Sequence, residues 1–138
     1  MSYFKIVIEN KHRGCAVSLA ALDVFMRQQG ATSEEKEEFK TAVKEAIENA
    51  INFAYLNKDD EESLITLTAI AKGNVITVTV KDTGKGIKKI KTMMQPTKTS
   101  QPGKHSGMGF TIMQAFSNGV TVDTSENGTT VTLVRYLK

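Results

Sequence analysis

A chain of 138 residues, 40% hydrophobic and 24% charged, is long enough for one compact domain and too short for a multidomain assembly. Its 18 basic and 15 acidic residues leave a formal charge of +3, too small for a dedicated nucleic-acid binder, and no stretch approaches the roughly 20 apolar residues of a membrane span. The lone Cys15 excludes an internal disulfide framework and the N-terminus has no charged-then-apolar leader, so the expectation is a single cytoplasmic domain over residues 1–138.

Tyr3 to Ile8 alternates apolar and polar side chains and predicts a strand. From about Cys15 to Gln28 the apolar residues recur at helical spacings, and Gly30 supplies a stop. Thr32-Ser33-Glu34-Glu35 gives an N-cap hydroxyl followed by first-turn carboxylates, which start a second helix running to about Tyr55. Leu64 to Ala71 and Val75 to Lys81 are rich in Val, Ile and Thr around the turn Lys72-Gly73-Asn74, which predicts an antiparallel hairpin. Asp82 to Gly107 is a long irregular segment holding both prolines. Met108 to Phe116 reads as a short helix, Val120 to Thr124 and Thr129 to Tyr136 as strands, and Asn127-Gly128 as the tight turn between them. The order β-α-α-β-β-loop-α-β-β predicts a two-layer α/β sandwich, with a mixed, mostly antiparallel sheet and helices on one face.

The charge is unevenly spread. Glu34 to Glu62 carries ten acidic and four basic residues, whereas Lys81 to His105 carries seven lysines against one aspartate. The acidic stretch contains the second helix, where Phe39, Val43, Ala46, Ala50 and Phe53 form an apolar stripe. Glu45 and Asn49, four apart, stand one turn from each other beside it, so a carboxylate and an amide oxygen can converge on one ligand. Alone, such a pair is usually a solvated helix face.

Three further features give the pair a context. Val78 to Asp82 is a buried-type strand that ends in an aspartate, and Gly84 and Gly86 follow, where a backbone can pass close to a flat ligand. An ionised aspartate only accepts hydrogen bonds, so it pairs with the exocyclic amine of adenine and opposes the carbonyl of guanine. Lys104-His105-Ser106-Gly107-Met108-Gly109-Phe110 runs into a helix and places free backbone N–H groups where phosphate oxygens can be held. No GxxxxGK[ST] or GxGxxG pattern is present, which excludes P-loop and Rossmann readings.

Glu45 and Asn49 on one helix, Asp82-Thr83-Gly84-Lys85-Gly86 after a strand, and Gly107-Met108-Gly109 at a helix start together resemble the N box and the two glycine boxes of the GHKL ATPase and kinase superfamily. Within it, Gln95-Pro96, Thr99, Pro102 and Ser106-Gly107-Met108-Gly109-Phe110-Thr111-Ile112-Met113 resemble the lid and second glycine box of the anti-sigma F factors. The resemblance implies a Bergerat-type fold and a serine kinase using ATP and Mg²⁺. It implies Glu45 as the base, Asn49 as the Mg²⁺ ligand, and Asp82 on the adenine amine with Thr129 nearby. Gly84, Gly86, Thr99, His105, Ser106, Gly107, Met108, Gly109 and Phe110 would complete the nucleotide site. It further implies a sigma factor and an anti-anti-sigma protein as partners, and a homodimer.

Two positions depart from the family pattern. Ala16 stands where the family has a helix-one arginine directed at its partners, with Arg13 one turn away, and His105 replaces an arginine beside the phosphates. A second reading from another class is a nucleotide-gated binding module without transferase activity. The ATP-binding domain of a histidine kinase comes last, because 138 residues leave no room for its phosphoacceptor helices.

Overall fold

The computed structural model describes residues 1–54, 64–83, 108–125 and 127–138. Period-two alternation builds five strands, β1 (Ser2–Glu9), β2 (Leu64–Lys72), β3 (Val75–Asp82), β4 (Gly119–Ser125) and β5 (Gly128–Tyr136). They form one sheet in the order β1-β2-β3-β5-β4. Among the described residues three helices, α1 (His12–Gln28), α2 (Ser33–Asn49) and α3 (Gly109–Ala115), pack against the sheet through contacts of α1 with β1, α2 with β3 and β5, and α3 with β4. The expected two-layer α/β sandwich is present. Among the described residues all four strand pairings are antiparallel, with none of the parallel pairing that a mixed sheet would include. β3 and β4 each run antiparallel to β5 and so parallel to one another, but β5 lies between them, so adjacent strands are antiparallel throughout the described sheet.

The core lies between the layers. The inward-facing residues Ile65, Leu67 and Ala69 of β2, Ile76 and Val78 of β3, and Leu133 of β5 meet Leu22 and Met26 of α1 and Phe39, Val43, Ala46 and Ile47 of α2, all fully buried. Each of the larger of these side chains contributes roughly 1.5–3 kcal/mol of transfer free energy.

Three boundaries differ from the sequence reading. Helix α2 ends at Asn49, and a π-helical turn, Ala50–Ala54, continues it; Tyr55, the expected end, lies outside the described residues. Gly128, expected in the turn between β4 and β5, already belongs to β5 and pairs with Ser125. Helix α1 also begins one turn before Cys15, with Gly14 buried among its first residues.

The N-terminus of α2 is tied to the C-terminus of the chain. Thr32 and Glu35 form a capping box: Glu35 N–H donates to Thr32 Oγ1 at 3.1 Å and Thr32 N–H to Glu35 Oε1 at 2.8 Å. The other carboxylate oxygen, Oε2, accepts from Lys138 N–H at 2.8 Å, on a residue only 3% exposed. The Thr32 and Lys138 backbone N–H groups hold the Glu35 carboxyl below its ordinary value of 4.5, against the opposing effect of burial. A depressed folded-state value means that the stabilisation is complete above the ordinary value and is lost as pH falls through the depressed one. Urea titrations should find Glu35→Gln about 1–3 kcal/mol less stable at neutral pH, since its NH₂ would face a backbone donor. That difference should close as the pH falls below the ordinary 4.5 and through the depressed folded-state value.

Candidate active site

Helix α2 presents Glu45 and Asn49 toward the start of α3. Gly109 opens α3 so close to them that a methyl carbon added there would lie 3.1 Å from Glu45 Oε2 and 3.4 and 3.5 Å from the Asn49 amide atoms. A methyl group there would press on the carboxylate, which would have to give by a few tenths of an ångström, and would stand in ordinary contact with the amide. The fold therefore brings together the N-box pair and the last glycine of the second glycine box, which are 60 residues or more apart in the chain.

Asn49 is 8% exposed, and among the described residues its Nδ2 has no hydrogen-bond partner. A buried amide without a partner costs roughly 1–3 kcal/mol. Which end of the amide faces the site is set by whatever partner it meets. The π turn begins at the next residue and packs against β3, whose far end carries Asp82. Such turns widen a helix by one residue and recur at functional sites.

Glu45 is half-buried, and its carboxyl is held above the ordinary 4.5, chiefly by burial, with the charge of Glu48 adding and Lys44 opposing. The direction suits a proton acceptor working near neutrality. Lys44 and Glu48 pair at 3.7 Å on the exposed flank. Cys15, on the buried side of α1, is pushed up to about 11 by burial and by the charge of Glu48, so the thiol is inert.

The other end of the site is built by the sheet. Asp82, the last residue of β3, is 2% exposed and pairs in register with Thr129 of β5, also 2% exposed. A cleft of about 290 Å³ opens there, lined by Asp82, Thr83, Thr124 and Thr129 among others. Much of its remaining lining, including Lys81, Asp123 and Thr130, comes from the sheet face that carries no helix, so the cleft wraps the sheet end instead of lying wholly under α2. Gly128 has φ +145°, and a side chain there would collide with the Asp82 carbonyl oxygen, so this glycine lets the β4–β5 hairpin close against the end of β3.

Of the residues singled out from sequence, the structure thus joins Glu45, Asn49 and Gly109 in one cluster and Asp82 and Thr129 in one row. Met108 is the exposed N-cap of α3, and Phe110 packs on the core from the first turn. Gly84, Gly86, Thr99, His105, Ser106 and Gly107 lie outside the described residues. No three His, Cys, Asp or Glu side chains converge as a metal cage among the described residues. An Mg²⁺ site of one or two protein oxygens completed by phosphates and water is of the kind that the Asn49 amide oxygen fits, on a buried side chain beside Gly109. None of the helices among the described residues is long and apolar enough to cross a membrane. Sequence reasoning passed over Thr124, whose place beside Thr129 depends on strand register.

Comparison with known proteins agrees with this architecture. Residues 10–135 match the histidine kinase-like ATPase domain model. The anti-sigma F factor of Anoxybacillus flavithermus is 39% identical over 115 residues, covering 82% of this chain and 77% of that protein. The anti-sigma F factor of Clostridium beijerinckii is 36% identical over 137 residues, covering 96% and 94%. The crystal structure of the RsbU and RsbW domains of Rv1364c from Mycobacterium tuberculosis superposes with a TM-score of 0.70 at 17% identity, over 99% of this chain and 32% of that one, and so shares the fold. With the domain model spanning nearly the whole chain and relatives of this similarity matching at both ends, the protein belongs to the histidine kinase-like ATPase family and, within it, to the anti-sigma F factors.

Proposed function

We propose that the protein is an Mg-ATP-dependent serine kinase that phosphorylates an anti-anti-sigma partner and sequesters a sigma factor. The observation that carries the reading is the convergence of Glu45, Asn49 and Gly109, with the buried Asn49 Nδ2 lacking a partner among the described residues. The name shared by its relatives, anti-sigma F factor, supports the sigma-binding half.

In this reading Asp82 and Thr129 hold the purine at one end and Asn49 the Mg²⁺ at the other. When bound, Mg²⁺ neutralises phosphate charge, which phosphoryl transfer needs more than covalent help. Glu45 accepts the serine proton as the serine oxygen bonds to the γ-phosphorus, the bond from that phosphorus to the bridging oxygen breaks, and ADP departs. Burial of Glu45 keeps its carboxylate basic enough for the task. The chain also acts as a homodimer: the sheet face opposite the helices bears Tyr3, Val7, Ile70 and Tyr136, which are 69%, 52%, 36% and 55% exposed, a surface suited to a second copy.

The test is incubation of the purified chain with γ-labelled ATP, Mg²⁺ and an anti-anti-sigma domain encoded beside it, followed by phosphoamino-acid analysis. The expected result is label on a serine of the added domain. ATP-dependent complex formation without label would make the protein a nucleotide-gated binding module instead.

A further inference from the structure

The helix-facing side chains of β5 alternate through Thr129, Val131 and Leu133, all buried, and the next place in that series is taken by an arginine. Arg135 stands in register with the buried Ile76 of β3, and its side chain is only 15% exposed. A cation drawn in under the helices is kept there by its partners. Nη1 donates to the carbonyl oxygen of Phe116, the C-cap of α3, at 3.0 Å, and Nη2 donates to Glu38 Oε1 on α2 at 2.9 Å. Arginine can serve both at once because its donors are spread over a rigid planar fork, and the carbonyl it meets is one that the end of a helix leaves without an intrahelical partner.

This clamp fixes the end of α3 remote from the candidate site. Glu38 lies in the first half of α2, whereas Gly109, at the other end of α3, stands against Glu45 and Asn49 in the second half, so α3 runs antiparallel along α2. Asn118 holds the chain beyond α3 to β5, donating its N–H to the Val134 carbonyl at 2.7 Å and accepting the Tyr136 N–H at 2.8 Å. Arg135 fixes the same end against α2. Seven residues at 1.5 Å each make α3 about 10 Å long, short enough to pass a displacement of one end on to the other.

We propose that Arg135 is a positioning residue for the phosphate end of the site: by joining the end of α3 to α2 it sets how closely Gly109 stands to Glu45 and Asn49. This rests on the reading that the Glu45–Asn49–Gly109 cluster receives the phosphates and Mg²⁺. Asp82 and Thr129 are placed by strand register instead, so the clamp acts on one end of the site and spares the other.

The test is calorimetric titration of Mg-ATP and of adenosine into wild type, Arg135→Met, Arg135→Lys and Lys40→Met, each with its melting temperature. Lys40 is the control, since its pair with Asp23 at 2.9 Å is of similar exposure but joins α1 to α2. In Arg135→Met the Mg-ATP to adenosine affinity ratio should fall roughly 3- to 30-fold, part of what one charge-assisted hydrogen bond contributes. Arg135→Lys, whose single ammonium cannot span both partners as the fork does, should fall less. Lys40→Met should stay within about twofold of wild type. A ratio unchanged in both Arg135 variants overturns the proposal, and a lowered melting temperature beside it assigns Arg135 a structural role only. An equal fall in Lys40→Met also overturns it, because general loosening would then suffice. If Arg135→Met does not fold, Arg135→Lys against Lys40→Met decides in the same way. A wild type that binds Mg-ATP no better than adenosine removes the phosphate reading of the cluster and this proposal with it, whereas a wild-type preference for Mg-ATP that is indifferent to Arg135 removes only the proposal.

Discussion

Glu45→Gln should lower phosphoryl transfer to the serine partner by about 10²- to 10⁴-fold while ATP affinity stays within about threefold. Glutamine keeps the shape of the side chain against Gly109, where Oε2 sits 3.1 Å from the position a methyl carbon would take, so the packing of α3 on α2 survives. What is lost is the ability to take a proton. The same assignment fixes the pH dependence. A base works deprotonated, so the wild-type rate should climb with pH through a midpoint above the ordinary 4.5, because burial and Glu48 both raise the Glu45 carboxyl. Glu48→Gln removes the like charge and should move that midpoint down. Stopped transfer assays at a series of pH values check both points. Undiminished transfer in Glu45→Gln would take the base role away from this residue.

Asp82→Asn should erase the preference for ATP over GTP, a preference that a buried, mismatched polar contact can raise to about 10⁴-fold. Asp82 is 2% exposed and fixed by register beside Thr129, so it has little freedom to turn away from a wrong base. Its carboxylate accepts from the adenine amine and opposes the guanine carbonyl. An asparagine brings an NH₂ group that can donate to that carbonyl, so GTP binding should improve as ATP binding weakens. Competition by the two nucleotides, measured on wild type and variant at one Mg²⁺ concentration, gives the ratio directly. Equal affinities for ATP and GTP in the wild type would contradict the assignment.

Much of this site was legible in the sequence because its parts are local. The four-residue spacing of Glu45 and Asn49 fixes their common face, and a strand of Val78 to Asp82 fixes where the aspartate stands relative to the core. The strand and helix positions followed from periodicity to within a few residues. What periodicity could not carry was the π turn. Ala46, Ile47, Asn49, Ala50 and Ile51 are all buried, and a run of Ala and Ile reads as ordinary helix although the backbone hydrogen bonding changes after Asn49. The β4–β5 turn shows the other limit. Reading Asn127-Gly128 as the turn would set Thr124 against Val131 instead of Thr129, a slip of two residues that alters which side chains stand abreast. Gly128 pairs with Ser125, which sets Thr124 against Thr129 and completes a polar row that no single stretch of sequence displays. The meeting of Gly109 with Glu45 and Asn49 is likewise a matter of how α3 lies on α2, invisible until the helices are packed.

The central claim is that the Glu45–Asn49–Gly109 cluster and the Asp82–Thr129 row are two ends of one Mg-ATP site. Calorimetric titration of ATP and of adenosine, with and without Mg²⁺, into wild type and Asn49→Ala tests it most directly. The account predicts that Mg²⁺ tightens ATP but not adenosine in the wild type, and that Asn49→Ala removes the Mg²⁺-dependent part while adenosine still binds. ATP affinity indifferent to Mg²⁺ in the wild type, or adenosine and Mg-ATP weakened equally by Asn49→Ala, would contradict it.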